Sequence, residues 1–196
     1  MMTRVTTRPT IALRERIIEA AADLTVEHGW AALTMDLLAD RVGVSPEAIH
    51  DEVGTKPDLA ESLVLWELGH YLEAVNAGFD DNPEDLVVAA RDAIRHVLER
   101  AAGNSLLRAA LASEDGDSGL LPLLTTDSAS LSGATAVVLE MRLGNYDHGI
   151  DPLMLGALVD MIVRLVVSHV IRPAASPEET SEVMAWTIAQ VLRLPA

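Results

Sequence analysis

Three glycines divide the first 56 residues so closely that only short helices fit between them. His28-Gly29, Gly43 and Gly54 each close a run of apolar residues with helical period, and glycine is the usual residue at such a stop. The first run, from about residue 10 to 29, repeats Leu13, Ile17, Ala20, Ala21 and Leu24 along one face. Thr34 is placed to cap a second helix carrying Met35, Leu38, Ala39 and Val42. Ser45-Pro46-Glu47 then starts a third. The hydroxyl caps it, proline suits its first turn, and the carboxylate faces the positive end of the dipole. Three helices in about 50 residues, the last two joined through Gly43, outline a helix-turn-helix.

Downstream, helices are expected over about 56–78, 83–102, 105–113, 127–144, 152–171 and 177–194, with a polar loop at 114–119. No segment alternates as a half-buried strand would, and the apolar content is mostly Ala, Leu and Val, which favours helices. The expected fold class is all-α. The run Leu153 to Ile171 is long enough to span a bilayer. Asp160, Arg164 and His169 lie inside it, however, and charge at mid-membrane is costly. It is therefore read as a buried or interfacial helix of a cytoplasmic protein with no membrane partner. The opening MMTRVTTRPT has no apolar run behind its basic residues, so no secretory signal is expected.

Cysteine is absent, which excludes disulfides, thiolate metal sites and cysteine nucleophiles. There is no phosphate-binding or dinucleotide glycine fingerprint and no Gly-x-Ser-x-Gly turn. Asp147-His148-x-x-Asp151 sits in a glycine-containing link between helices, where polar turn residues are expected anyway. No enzyme chemistry, metal or cofactor is expected. Net charge is −16, distributed unevenly: residues 1–56 carry six basic and nine acidic side chains, the remainder eight and 21. The head is far less acidic than the body, yet charge alone does not point to nucleic acid.

The order of residues does. Ile17-Ile18-x-Ala20-Ala21, Leu24, Gly29-Trp30, Thr34-Met35, Leu38-Ala39, Gly43-Val44-Ser45, Ile49, Lys56 and Leu59 fall in one register across residues 14–59. This pattern resembles the DNA-binding head of the TetR family of transcriptional regulators. The resemblance implies a domain at 1–56 that reads double-stranded operator DNA and a body at 57–196 that binds a ligand and dimerises. It implies that Ser45, Pro46, Glu47, Ala48 and His50 face bases, with Met35 beside them. Thr34 and Lys56 would meet phosphates, and Arg4 and Arg8 would form an arm on the backbone or minor groove. The chain departs from the family where Tyr is usual at His50, a basic or aromatic pair at Asp51-Glu52, and Phe at Val53. Carboxylates near the groove repel phosphates but can specify a cytosine amino group.

For the body, the resemblance implies a homodimer through the last two helices, with Leu155, Val159, Ile162, Val166, Val170, Val183, Trp186 and Val191 at the interface. The helix at 152–171 is apolar nearly all round, which requires burial on several sides. Trp66, His70, Tyr71, His96, Arg100, Arg108, Leu111 and Met141 are the candidate contacts for a small hydrophobic effector. The expected function is a repressor released by that effector. The alternative is a dimeric binding module whose acidic third helix no longer holds DNA.

Overall fold

In the computed structural model, residues 12–112 and 128–192 are described, and among them nine helices and no strands are found. In chain order they are α1 (Leu13–His28), α2 (Met35–Val42), α3 (Pro46–Val53), α4 (Lys56–Asp81), α5 (Leu86–Gly103) and α6 (Ser105–Ala112). After the gap follow α7 (Ser128–Leu143), α8 (Pro152–Ile171) and α9 (Pro177–Leu192). The all-α expectation holds.

Local chemistry sets the helix starts. The Thr34 hydroxyl accepts from Leu37 N at 3.1 Å, and Ser45 accepts from Ala48 N at 3.3 Å. Thr55 and Asp58 form a reciprocal box at the start of α4, and Ser176 and Glu179 do the same before α9. Sequence periodicity placed the start of α5 at Pro83. The structure starts it at Leu86, because the Asp85 carboxylate takes the Val87 and Val88 amides at 3.0 and 3.1 Å. Likewise α4 does not stop at Gly78. It continues to Asp81, and the Asn82 side chain donates back to the Gly78 carbonyl at 3.0 Å.

Two cores result. The first joins α1, α2 and α3 around Ile17, Leu24, Leu38 and Ile49, all fully buried. It also takes in Leu59 and Leu63 from the first turns of α4, and Leu106 and Ala110 from α6. The head is therefore completed by residues beyond position 56. The second core joins α4, α5 and α9 through Val75, Phe79, Ile94, Leu98, Ile188 and Leu192, with α7 and α8 packed against it. Helices α4 and α5 run antiparallel, with Gly78 against Ala93 at one end and Glu67 against Asn104 at the other.

Candidate nucleic-acid interface and apolar cavity

The turn between α2 and α3 depends on Gly43, whose φ of 78° and ψ of 40° lie in the left-handed region. Its amide and that of Val44 both donate to the Ala39 carbonyl, at 2.8 and 3.1 Å. Ala39 is buried beneath the crossing, and Ile49 and Val53 anchor α3 from below. The opposite face of α3 is open: Ser45, Pro46, Glu47, His50, Asp51 and Glu52 are exposed, and Ala48 is half-buried. Glu47 lies over the first turn, where its own amide and then the Ser45 hydroxyl hold its carboxyl below the usual range. The His50 ring donates through Nδ1 to the Gly54 carbonyl at 3.0 Å, which turns Nε2 outward.

The expected phosphate contacts are arranged less simply. Thr34 is exposed and spends its oxygen on the α2 cap. Met35 is half-buried against the head core. Lys56 reaches back beneath the link between α1 and α2, where Nζ donates to the Leu33 carbonyl at 2.6 Å and the Ala31 carbonyl at 3.3 Å. It also stands 5.2 Å over the Trp30 ring, and burial lowers its ammonium below the usual lysine value. Arg4 and Arg8 lie outside the described residues.

Two further arginines, which sequence reasoning did not single out, hold the head together. Arg14 donates to the Glu52 carbonyl and, at 2.8 Å, to the Ser62 hydroxyl; Arg16 donates to the Val42 carbonyl at 2.8 Å. With Arg41 paired to Glu27 at 2.6 Å, every basic side chain in the described part of the head has a partner within the chain. Only the helical spacing of Arg14 and Arg16 from the buried Ile17 and Ile18 could have signalled this.

The body holds a partly open cavity of about 430 Å³. Among the described residues, α4 lines it with Val64, Glu67, Leu68, Tyr71, Leu72, Val75 and Phe79, and α5 with Leu86, Ala90, Ala93, Ile94 and Val97. Leu107 and Leu111 of α6, Leu139 and Leu143 of α7, and Ile188 and Leu192 of α9 complete it with one face of α8. Of the candidate effector contacts, Tyr71 and Leu111 lie on this wall. The others do not. Trp66 meets His70 edge-to-face at 4.4 Å between ring centres, and Trp66 also packs on the head core. His96 is half-buried on α5, Arg108 is exposed and donates to the Ala102 carbonyl at 2.7 Å, and Met141 is exposed. Arg100 stacks 5.5 Å over the Tyr71 ring, behind the wall, with Nη2 3.8 Å from Glu67.

Helix α8 serves two sides. Leu155, Val159, Ile162, Val166 and Val170, expected at an interface, point into the cavity of their own chain. The outward face carries Met154, Ala157, Met161, Leu165 and Ser168, flanked by the Asp160–Arg164 pair at 2.8 Å. By length and composition α8 could cross a membrane, at a mean hydropathy of 1.9. Its inner apolar residues are accounted for by the cavity, and its ion pair lies on the outer side. On α9 the expected Val183, Trp186 and Val191 are all exposed, at 64, 59 and 51 %.

Comparison with known proteins follows this division. Residues 17–63 match the family model described as bacterial regulatory proteins, tetR family. Residues 85–190 match that described as bacterial tetracyclin repressor, C-terminal domain. Over 173 residues the chain is 27% identical to the HTH-type transcriptional regulator AlkX of Mycobacterium tuberculosis, covering 88% of this chain and 80% of the relative. The crystal structure of the TetR family repressor AlkX from a Dietzia species has a TM-score of 0.75 at 22% identity, covering 93% of this chain and 96% of that one. The fatty acid degradation regulator FadR of Bacillus halodurans has a TM-score of 0.62 at 14% identity, covering 96% and 100%. With a helix-turn-helix at one end and a matching helical body at the other, this chain belongs to the TetR family: it is a DNA-binding transcriptional regulator, not an enzyme.

Proposed function

We propose that the protein is a repressor that binds a palindromic operator as a homodimer and leaves it when a small hydrophobic effector enters the body. The observation that carries this reading is the course of α4. Its first turns lie in the head core, and its remaining turns form a wall of the 430 Å³ cavity. Filling the cavity therefore acts on the helix that positions the reading head. A ligand shifts the equilibrium only through different affinities for the two head spacings, and an apolar cavity that changes width supplies that difference.

The dimer reading rests on the outward faces of α8 and α9. Met154, Met161, Leu165, Val183, Trp186 and Val191 are large, apolar and exposed in one chain. Two copies joined through these helices form a four-helix bundle about a two-fold axis. That symmetry sets two α3 helices on successive major grooves, about 34 Å apart. The site of action is the cytoplasm, where the DNA is. The chemistry of the wall favours an aliphatic effector. The names of two structural relatives point the same way, one implicated in biodegradation of n-alkanes and one a regulator of fatty acid degradation.

An alternative, a dimeric binding module that has lost DNA, is favoured by one observation: the acidic face of α3 stands in a head whose described basic groups are all engaged internally. A fluorescence anisotropy assay on DNA upstream of the gene separates the two. The repressor reading expects specific binding that a medium-chain aliphatic compound reverses. Binding indifferent to every such compound would remove the effector from the account.

A further inference from the structure

The wall of the cavity is mostly aliphatic, with Glu67 and Tyr71 at the end nearest the head, Phe79 at the far end of the α4 lining, and Thr135 and Arg164 contributed by α7 and α8. From Val64 to Phe79 the lining follows α4 for about 22 Å at 1.5 Å per residue, so the space suits an extended chain. At the head end Glu67 and Tyr71 enter the wall, and both are tied to Asn104. Asn104 Nδ2 donates to Glu67 Oε2 at 2.9 Å and to the Tyr71 hydroxyl at 3.3 Å. Among the described residues Glu67 Oε1 takes no hydrogen bond, and the Tyr71 O–H proton has no acceptor. Burial raises the Tyr71 phenol above its usual pKa, so it remains a donor at neutral pH. Beside the same residues opens a second cavity of about 40 Å³, lined by Glu67, Tyr71 and Asn104 together with Leu63 and Leu106. That is room for one water or one small polar group.

We propose that this end selects an effector with a terminal hydroxyl on an unbranched aliphatic chain, and discriminates against the corresponding carboxylate. The inference rests on the effector reading above. A hydroxyl has one donor and two acceptor lone pairs. It can donate to Glu67 Oε1 while accepting from Tyr71 O–H, so both open groups are satisfied at once. A carboxylate only accepts, and its charge would lie beside the Glu67 carboxylate in surroundings of low dielectric. The two cations nearby offset part of that repulsion, but each already has a carboxylate partner within the chain. Arg100 lies behind the wall, over Tyr71 and 3.8 Å from Glu67, and the Arg164 guanidinium is tied to Asp160 on the outer side. Arg164 is also among the lining residues. A plain alkane would fill the cavity but leave both polar groups unpaired.

Isothermal titration calorimetry on the full-length protein, with decanol and decanoate at about pH 7.5 where the acid is ionised, tests the proposal. Decanol is expected to bind tighter by about ten-fold or more, the worth of a hydrogen bond to a charged group. In Glu67→Gln, which keeps the shape and removes the charge, that preference should shrink to a few-fold. Decanoate binding as tightly as decanol, or full discrimination retained by the variant, overturns the hydroxyl assignment and leaves the aliphatic effector standing. Binding of neither compound overturns both together.

Discussion

Lys56 shows how one side chain can serve two tasks with different measurable consequences. Its ammonium satisfies the Leu33 and Ala31 carbonyls in the turn between α1 and α2, and covers the Trp30 ring. A residue that only met phosphate would alter DNA affinity and leave stability alone. Lys56→Met is expected to lower stability by about 1 kcal/mol, the worth of the hydrogen bond to the part-buried Leu33 carbonyl, and to weaken DNA binding as well. Urea denaturation read beside the binding curve checks this; unchanged stability would return Lys56 to a purely phosphate role. The inward turn of Lys56 was not visible in the sequence, because its partners are backbone groups 23 and 25 positions away. The capping roles of Thr34 and Ser45 were visible, because each bonds an amide only three residues on.

Helices of this chain announce themselves by their first turns, and those turns carry the acid sensitivity. Thr55 holds the Asp58 carboxyl below the usual range, through its hydroxyl and then its amide. Ser176 does the same for Glu179, through its amide and then its hydroxyl; in the last turn of α1, outside any cap, the Arg41 guanidinium lowers Glu27 as well. A carboxyl with a depressed folded value contributes stability at pH above its unfolded value, and loses that contribution as pH falls through the folded one. For these groups stability should be level between about pH 6 and 8 and decline below about pH 4. A urea midpoint that stayed level down to pH 3 would contradict the caps as described. The facing of the helices was harder to read than their ends. An apolar stripe fixes which way a helix turns, but α8 is apolar nearly all round, so its periodicity gives no phase. The assignment of Leu155 and Val159 to a partner interface therefore had no phase to rest on, and both line the cavity. The pairing of α4 with α5 hides in a single glycine. A Cβ on Gly78 would lie 2.3 Å from the Ala93 backbone nitrogen, so Gly78→Ala must push the two helices apart. A loss of about 1–3 kcal/mol is expected on denaturation; no loss would mean the helices are not so closely set.

Asn104 ties these parts into one device. It caps α6 through Leu107 N at 2.9 Å and holds Glu67 and Tyr71 of the cavity wall, while Leu106 and Ala110 of α6 sit in the head core. Chemistry at the polar end of the cavity thus reaches the reading head through one short helix. The pairing of two such chains should depend on the outer faces of α8 and α9. Trp186→Glu puts a charge where an exposed apolar ring stands, and is expected to yield monomers by light scattering and DNA binding weakened by more than ten-fold, since two half-sites no longer act together. A dimer of unchanged mass would move the interface elsewhere.

Repression by this protein requires that so acidic a head read DNA through α3. Anisotropy titration on the upstream intergenic fragment, at about 50 and 200 mM salt, measures it directly. The expected result is nanomolar binding at the lower salt, lost steeply at the higher and absent on scrambled sequence. No binding at either salt would contradict it, and would leave a helical body and a cavity serving something other than DNA.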